Sequence, residues 1–399
     1  MANVSSSNGL EKRPRLAFRN IDGSRFPCWR QTSLGCIIEP YSEKVYGEHD
    51  YEVLTSAREG LQRQVDHFGS KQRHDTDGYN IIPFGYCTYR NRSDDGKFAF
   101  NINTISEKAI VSKFYPVFRF TNANSTFMAE FLNSSPRVKK KLSVLAVGTS
   151  QVVLSFEALK AAKFDLPCKD EQDKIAVFFE CLNTRIENQR TLVAALKKYK
   201  RGVVDGILSK KLKFSYLQTW EELEISELFV PVSDKGYADK IVLTIVQGEG
   251  TIPRDNVDRR ITYDKSTVSS YKRVLPNDFI LHLRSFEGGL EIVNEEGVVS
   301  PAYTILRART EIVPLFFYTF FRSYWFINNK LRISVEGIRD GKSINMNTFW
   351  HIKVPVPSIE EQRHISALIS SIDKRIKIAE NEYKRLSQIR VGLMQQLFI

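Results

Sequence analysis

Arginine, lysine and asparagine side chains cluster in predicted loops, and these residue types are the ones that bind nucleic acid. Arginine and asparagine can form paired hydrogen bonds with guanine and adenine edges, whereas lysine mostly binds phosphate. An ordinary solvated surface also carries such residues, so we expect only part of this set to touch nucleic acid. The candidates in the first half of the chain are Arg58, Arg63, Lys71, Arg73, Arg90, Asn91, Arg92 and Lys113. Those in the second half are Arg254, Arg259, Arg260, Lys265, Lys272, Arg273 and Arg284.

A distinctive local string adds Ser285, Gly288, Gly289 and Tyr303 to these candidates. It reads Leu-Arg-Ser-Phe-Glu-Gly-Gly over residues 283–289, followed by Val-Val-Ser-Pro-Ala-Tyr over residues 298–303. A Gly-Gly pair permits a positive φ angle and a close approach of the backbone to another group. The same pair could also form only a hairpin turn. The first half has a looser version near Arg90 that lacks the Gly-Gly pair, so its DNA contacts are less defined.

The chain contains none of the common catalytic motifs that we considered. The adenine methyltransferase motifs Asn-Pro-Pro-Tyr and Asp-Pro-Pro-Tyr do not occur, and neither does His-Glu-x-x-His or Gly-x-Ser-x-Gly. Residues 341–343, Gly-Lys-Ser, fail as a phosphate loop because the preceding glycine, Gly337, stands one residue too close. The six histidines are dispersed. We therefore expect no catalysis by this chain, no cofactor bound to it and no metal site.

The charge balance favours an anionic partner. The chain has 58 Lys and Arg residues against 46 Asp and Glu, a net charge of +12, and nucleic acid is the commonest large anion. Its five cysteines form no Cys-x-x-Cys pair, which is typical of a reducing cytoplasm. The first residues resemble no signal peptide. The richest apolar run, Val313 to Ile327, is interrupted by Pro314 and Arg322, so we expect no membrane span.

The chain repeats itself at a spacing of about 190 residues. Pro-Cys-Lys-Asp-Glu-Gln at residues 167–172 recurs as Pro-Ser-Ile-Glu-Glu-Gln at residues 357–362, and the match continues to the end of the chain. Weaker echoes precede these segments in the same order, and together they predict a globular unit and a helix, twice, with an internal pseudo-two-fold relation. The echoes pair Trp29 with Trp220, residues 53–55 with 242–244, Gly60 with Gly250, residues 109–112 with 297–300, and Tyr115 with Tyr303.

Each repeat ends in a predicted helix of about 40 residues, or about 60 Å. Pro167 and Pro357 end what precedes the helices, and acidic residues such as Glu171 and Glu361 occupy the first turns, where the helix dipole favours them. Apolar residues then recur three and four apart, a pattern typical of coiled coils. The stripes include Ile175, Phe179, Leu182, Ile186 and Leu196 in the first helix and Ile365, Ile369, Ile372, Ile376 and Leu386 in the second.

Two arrangements fit these stripes. Each helix could pack on its own globular unit, or the two helices could pair with each other. We favour antiparallel pairing, because a helix of about 60 Å is longer than the surface of a small domain and because both copies carry matching stripes. The pair would then be a spacer of fixed length. Gln189 and Lys200 interrupt the first stripe, and Arg390 takes the place of Lys200 in the second.

The globular units are predicted to be mixed α/β, or α+β. Strands are predicted near Lys240–Val246, Asp278–Leu283 and Gly297–Leu306, and helices near Thr126–Ser134 and Val313–Asn328. The predicted organisation is a globular unit at residues 1–166, a spacer helix at 167–214, a second globular unit at 215–356 and a second spacer helix at 357–399.

Taken together, these features resemble the specificity subunit of Type I restriction–modification systems over essentially the whole chain. The resemblance rests on residues 284–289 with 299–303, on the string Thr-Phe-Trp-His-Ile-Lys-Val-Pro-Val-Pro at 348–357, and on the helix with Pro and Glu-Gln occurring twice. It implies two recognition domains that each read half of a split, asymmetric DNA target. The first domain departs from the family pattern because it lacks a Gly-Gly turn after Arg90.

The resemblance also implies partners and a location. The long helices would hold the half-sites apart and dock two modification subunits, which bind S-adenosylmethionine and methylate adenine. A motor–nuclease subunit, using ATP and Mg²⁺, would join for restriction. The protein would be cytoplasmic, in a bacterium or an archaeon. The alternative is a non-catalytic coiled-coil scaffold that displays two protein-binding domains; it shares the repeat and the helices but not a reason for the basic loops.

Overall fold

The chain divides by packing into two units. Unit 1 comprises residues 1–188 and 382–399, and unit 2 comprises Gln189–Asn381. The division runs through both long helices, so that each unit combines a globular part with the beginning of one helix and the end of the other. The computed structural model describes residues 14–69, 75–149, 151–209, 211–212, 220–256, 265–282, 286–337 and 342–398.

Unit 1 begins with short strands and small helices and continues into the first long helix. Its strands are β1 Arg30–Ser33, β2 Ile38–Tyr41, β3 Glu52–Ala57, β4 Gly60–Arg63, β5 Asn80–Pro83, β6 Cys87–Tyr89, β7 Arg92–Ser93, β8 Phe100–Ile102, β9 Lys108–Val111, β10 Val117–Phe120, β11 Val152–Val153 and β12 Lys163–Leu166. Its helices are α1 Gln64–Phe68, α2 Ser125–Ser134, α3 Pro136–Leu145, α4 Phe156–Ala161 and the start of α5 Lys169–Leu208, with a 3₁₀ turn at Leu34–Cys36.

Unit 2 contains the same kinds of element in nearly the same order. Its strands are β13 Glu221–Glu224, β14 Phe229–Val232, β15 Leu243–Val246, β16 Gly250–Pro253, β17 Lys272–Val274, β18 Phe279–His282, β19 Glu291–Ile292, β20 Gly297–Val299, β21 Tyr303–Ala308, β22 Val335–Glu336, β23 Ser343–Ile344 and β24 Lys353–Val356. Its helices are α6 Ile225–Leu228, α7 Pro314–Phe321, α8 Tyr324–Asn329, α9 Met346–Trp350 and the start of α10 Ile359–Leu397, with 3₁₀ turns at Arg254–Asn256, Lys265–Ser270 and Leu331–Ser334.

One four-stranded sheet in each unit has the same strand order, which confirms the predicted repeat. A four-stranded sheet has the order β2-β10-β6-β8 in unit 1 and β14-β21-β18-β19 in unit 2. Next to it, β9 pairs in parallel with β3 and antiparallel with β5. In unit 2, β20 pairs antiparallel with β17 and forms a parallel bridge through Val298 to Val242. The weak sequence echoes therefore mark strands that occupy equivalent places.

In each unit, the first and last strands of the globular part pair with each other, and we call this two-stranded pair the neck. Strand β1 pairs with β12 in unit 1, and β13 pairs with β24 in unit 2. Next to the neck strands in sequence, the Leu34 N–H donates to the Ala162 carbonyl at 2.8 Å, and the Ile225 N–H donates to the Ile352 carbonyl at 3.0 Å. Residues 34–162 and residues 225–352 therefore each leave and rejoin the rest of the chain at one point, and we call each of these segments an excursion. Within each excursion one helix, α2 or α7, also packs on the long helices.

Three predicted elements differ from the prediction. The predicted strand Lys240–Val246 is shorter, because only Leu243–Val246 forms β15. The segment Gly297–Leu306 is not one strand, because a turn at residues 300–303 separates β20 from β21. The segment Val313–Asn328 is two helices, because the Ser323 hydroxyl accepts a hydrogen bond from the Phe326 N–H at 3.0 Å and so caps the start of α8. In these last two segments, a turn or a helix cap interrupts the single element that the continuous apolar pattern predicted.

A buried glutamine locks the start of each long helix to its own unit. The Gln172 side chain donates to the Pro167 carbonyl at 2.9 Å and accepts from the Asn124 N–H at 2.9 Å. Gln362 does the same with the Pro357 carbonyl and the Val313 N–H, again at 2.9 Å. Each side chain is 4% exposed or less. The Pro-x-x-x-Glu-Gln repeat is thus a structural clamp that satisfies two backbone groups.

Replacing Gln362 with leucine should therefore destabilise unit 2. The change removes the side-chain amide and both of its hydrogen bonds. The Pro357 carbonyl and the Val313 N–H are then buried without a hydrogen bond, which costs about 1–3 kcal/mol. Urea unfolding should show this loss, and Gln395→Leu, at an exposed position of the same helix, should stay within about 0.5 kcal/mol of the wild type. Equal midpoints for the two variants would contradict the clamp.

The helices pair antiparallel, and each also packs on its own globular part. In unit 1, Phe179 near the start of α5 lies 5.8 Å from Phe398, just after α10 ends, and both belong to a core with Phe127 and Phe131 of α2. In unit 2, residues at the end of α5 share a core with the beginning of α10 and with the phenylalanines of α7. Both of the arrangements considered from the sequence are therefore present. The stripe residues Ile175, Phe179, Ile365, Ile369, Ile372, Ile376 and Leu386 are buried, and Leu182, Ile186 and Leu196 are half-buried.

The polar interruptions of the stripes are contacts between the helices. In unit 2, Lys200 Nζ binds both carboxylate oxygens of Asp373 at 2.6 and 2.7 Å, and the Gln189 side chain donates to the Ala379 carbonyl at 3.0 Å. In unit 1, Arg390 Nε donates to Asn183 Oδ1 at 2.6 Å. Arg390 and Asn183 stand 190 residues from Lys200 and Asp373 respectively, so the repeat also conserves this pair.

Candidate nucleic-acid interface

A tightly bonded turn, Ser112–Tyr115, connects β9 to β10 in unit 1; we call it the first tip turn. The Tyr115 N–H donates to the Ser112 carbonyl at 2.9 Å, and the Phe114 N–H donates to the Ser112 hydroxyl at 3.4 Å. The buried Asn80 side chain, at the start of β5, donates to the Tyr115 carbonyl at 2.9 Å and approaches those of Ser112 and Lys113 at 3.5 and 3.3 Å. The turn is thus held from inside by one amide.

Three of the predicted cations surround the first tip turn. The Arg92 guanidinium carbon lies 5.2 Å from the centroid of the Phe114 ring, and Lys113 Nζ lies 5.7 Å from it. Burial raises the pKa of Tyr115, and the nearby charge of Arg90 opposes that rise. All three cations are exposed, and none has a carboxylate partner within the described ranges. They form a positive patch that is open to an anion.

Other candidates of unit 1 have partners or lie in the framework. Arg58 pairs with Asp95 at 2.8 Å, and Arg63 pairs with Glu52 at 2.7 Å. The Asn91 carbonyl accepts from the Leu154 N–H at 2.9 Å, which continues the pairing of β7 with β11. The structure thus distinguishes open cations near the first tip turn from cations neutralised by the protein itself.

The equivalent turn of unit 2, Ser300–Tyr303, has the same backbone; we call it the second tip turn. The Tyr303 N–H donates to the Ser300 carbonyl at 3.1 Å, and the Ala302 N–H donates to the Ser300 hydroxyl at 3.4 Å. Lys272 Nζ donates to the Tyr303 carbonyl at 2.7 Å, as Asn80 does in unit 1. Burial and, secondarily, the charge of Lys235 lower the pKa of Lys272. Lys272 therefore holds the turn from inside.

The candidate Tyr303 is part of the second tip turn, and the candidate Arg254 lies near it. Burial raises the pKa of Tyr303, and the charge of Arg254 opposes the rise, as Arg90 does at Tyr115. The His282 ring lies 5.3 Å from that of Tyr303. Arg273, in contrast, pairs with Glu296 at 2.8 Å and with Asp234 at 3.7 Å, and its guanidinium lies 4.6 Å from the Tyr237 ring. Arg273 therefore stabilises the unit through contacts within the protein.

The Gly-Gly pair does form a turn with a positive φ angle, but the group it approaches is part of the same chain. Gly289 has a φ of +81°, and a Cβ there would lie 2.1 Å from the Phe321 carbonyl oxygen at the end of α7. A Cβ on Gly288 would lie 2.2 Å from the Gln247 side chain. The pair thus allows the loop to pack closely against α7 and β15.

Gly289→Ala should consequently be much more damaging than the same change at Gly236. Both glycines have positive φ angles, but the space around Gly236 is open for 4 Å. Backbone strain alone costs about 1–2 kcal/mol, which we expect for Gly236→Ala. The clash with Phe321 should raise the loss at Gly289 to about 3 kcal/mol or more. Urea unfolding of the two variants measures the difference, and equal losses would show that α7 moves freely away.

Several predicted residues lie outside the described part of the chain. Arg92, Lys113 and the other candidates above can be placed, whereas the following cannot: Lys71, Arg73, Arg259, Arg260, Arg284 and Ser285, together with the side chain of Lys265. Among the described residues, no group of three or more His, Cys, Asp or Glu side chains could hold a metal ion. No helix in the same part of the chain is long and apolar enough to cross a membrane.

Sequence reasoning overlooked the aromatic residue of the first tip turn. Phe114 is 51% exposed and was not a candidate, because an isolated phenylalanine in a strand-rich segment predicts core. Asn80 was also overlooked. The available signal was the echo between Tyr115 and Tyr303, which placed these two tyrosines at equivalent positions.

Comparison with known proteins gives one consistent result. The family described as Type I restriction modification DNA specificity domain matches residues 40–198 and 218–388, once for each repeat. A putative type I restriction enzyme MjaX specificity subunit of Methanocaldococcus jannaschii is 21% identical over 197 residues, 45% of this chain and 46% of the relative. The MjaVIII specificity subunit of the same organism is 25% identical over 126 residues, 31% of this chain and 28% of that protein. The matched segments thus span less than half of these curated relatives.

Solved structures share the fold over nearly the whole chain. The S subunit of a Type I restriction–modification system from M. genitalium has a TM-score of 0.56 at 18% identity, covering 97% of this chain and 99% of that one. A chain from a study of complex assembly and conformational transition of the type I R-M system has a TM-score of 0.57 at 15% identity, covering 94% and 98%. At these identities the likeness shows the fold, with its two globular domains and two long helices.

Proposed function

The chain belongs to the Type I restriction–modification DNA specificity family, and from that premise we propose that it is the subunit that reads the DNA target and does no chemistry itself. One observation carries the proposal. The same recognition topology occurs twice, and in unit 1 the tip turn is surrounded by three exposed cations with no carboxylate partner among the described residues. Cations in such a place bind phosphates and base edges.

We propose further that the two units read different half-sites of one split target. The tip turns share a backbone but differ at their outer residues, which are Lys113 and Phe114 in one and Pro301 and Ala302 in the other. Two readers with different side chains favour an asymmetric target. The continuous helices α5 and α10, of 40 and 39 residues, would keep the half-sites a fixed distance apart.

The partners we propose are two modification subunits and, for restriction, motor–nuclease subunits. Adenine methylation would take place in the modification subunits with S-adenosylmethionine, and ATP with Mg²⁺ would serve the motor. Exposed apolar side chains at equivalent positions of the two helices, Tyr199 at 58% and Ile389 at 41% exposure, support docking there. Adjacent genes for a methyltransferase and a helicase-like nuclease would agree with this assignment.

Duplex DNA binding over a range of salt concentrations tests the proposal. The chain assembled with its modification subunit should bind duplex DNA, and the logarithm of its affinity should fall linearly with the logarithm of the salt concentration, because bound cations release counterions. A complex that assembles but binds no DNA at any salt concentration would contradict it. That result would favour a scaffold that displays two protein-binding domains.

A further inference from the structure

The two tip turns differ in what they present, although the protein builds them in the same way. Each is a Ser-x-x-Tyr turn with the same two hydrogen bonds to its serine, and each is fastened by an inner side chain, Asn80 or Lys272, to the tyrosine carbonyl. The outer positions carry Lys113 and Phe114 in unit 1 but Pro301 and Ala302 in unit 2. A constant scaffold with a variable tip is the arrangement that a recognition element needs.

The exposure of Phe114 alone would carry no argument, since single exposed apolar side chains are normal. Phe84, on a different turn of unit 1, is 60% exposed. What distinguishes Phe114 is its setting. Its backbone is fixed by the turn and by Asn80, and two cations lie over its ring at 5.2 and 5.7 Å. Neither cation has a carboxylate partner within the described ranges, so both remain available to an anion.

An exposed aromatic ring with two available cations near it matches the chemistry of duplex DNA. The ring can pack against a base, a thymine methyl group or a sugar, and apolar side chains also enter between base steps. The cations can bind the phosphates on either side. An acidic protein would also match the charges of the two cations, but its acidic side chains would pack less well on the Phe114 ring than a base does.

Resting on the proposed function, we propose that Phe114 is a specificity-determining residue that the first tip turn sets against a base of the first half-site, while Arg92 and Lys113 bind the flanking phosphates. At the second half-site, Ala302 occupies the equivalent position and leaves that contact smaller. The first half-site is then read partly by shape and apolar contact, and this contact distinguishes it from the second.

Affinity for the mapped target, measured with the assembled complex of this chain and its modification subunit, tests the inference. Phe114→Ala should weaken binding about tenfold, as expected for one lost base contact, and should relax one or two positions of the first half-site only. Phe114→Tyr should retain most of the affinity. Phe84→Ala, the matched control, should remain within twofold of the wild type.

A double substitution that transfers the tip of unit 2 to unit 1 distinguishes a lost DNA contact from a loss of folding. Lys113→Pro with Phe114→Ala installs the tip of unit 2 on a turn of the same hydrogen bonding, and it should weaken the first half-site while the unfolding midpoint stays unchanged. If the wild-type complex binds the target and Phe114→Ala binds it equally well, the inference is wrong while the proposed function stands. If Phe114→Ala instead loses the modification subunit, the ring is a protein contact. A wild-type complex without DNA binding would refute the proposed function itself.

Discussion

Replacing residues 34–162 with residues 225–352 should yield a protein that reads the second half-site twice. The exchange begins and ends above the necks, where the Leu34–Ala162 and Ile225–Ile352 hydrogen bonds close each excursion. The first half-site should disappear entirely from the recognised target, and the second should appear in both halves.

The aromatic packing against the helices is compatible with this exchange, although the ion pair between Glu130 and Arg390 is lost. In unit 1, the rings of Phe127 and Phe131 are stacked, with centroids 5.8 Å apart, and Trp29 lies edge-on at 6.4 Å from Phe127. In unit 2, Phe316 and Phe320 are stacked at 6.3 Å, and Trp220 lies edge-on at 6.4 Å from Phe316. The incoming excursion therefore brings the same ring pair to the tryptophan that stays.

Mapping of methylated adenines in cells that carry the variant and the modification subunit measures the result. A second exchange, of residues 1–150 for those of a relative, should likewise alter one half-site, but it cuts between the paired residues Val147 and Val153 and should cost stability. An exchange at 34–162 that folds but changes both half-sites, or neither, would contradict independent readers.

Lengthening one helix should lengthen the spacer between the half-sites. Inserting four residues after Gln189 adds about 6 Å to α5, at about 1.5 Å per residue. DNA rises about 3.4 Å per base pair, so the spacer should grow by at most about two base pairs, because the unaltered α10 and the shifted stripe absorb part of the change. The half-site sequences should not change, since no tip-turn residue is touched.

Two controls make the insertion interpretable. Substituting alanine for Arg190 and Thr191 without changing the length should leave the spacer as it was. A paired insertion after Gln189 and after Ala379, two equivalent positions in contact through a hydrogen bond of 3.0 Å, should restore affinity while it keeps the longer spacer. Methylation mapping measures the spacer of the single-insertion variant. Full activity with an unchanged spacer would show that the helices only dock partners.

The architecture was predictable because it depends on periodicity. The stripe from Ile175 onward and its copy from Ile365 predicted both helices. The echo of Tyr115 in Tyr303 predicted equivalent positions in the two units, but it did not predict the turns that occupy them. Repeats and heptads average over many residues, so that a single exception such as Lys200 does not hide them. That exception proved to be a contact, to Asp373.

The candidate interface was less predictable because it depends on neighbours that are distant in sequence. In the sequence, Arg58 and Arg92 are both arginines of predicted loops. In the structure, Asp95 pairs with Arg58, whereas the Arg92 guanidinium lies over the Phe114 ring. Gly289 was expected to allow a close approach, but the approaching group is the carbonyl of Phe321. Sequence patterns report residue type and spacing, whereas the pairing of charges is decided by tertiary contacts.

Genome-wide mapping of methylated adenines tests the central claim most directly. The chain is co-expressed with its modification subunit in a host that lacks both, and the modification subunit alone serves as the control. We predict methylation within one split, asymmetric motif, with two specific half-sites separated by a spacer of fixed length, and only when this chain is present. Methylation of the same motif without the chain, or a continuous motif with no spacer, would contradict a subunit that reads DNA with two separate domains.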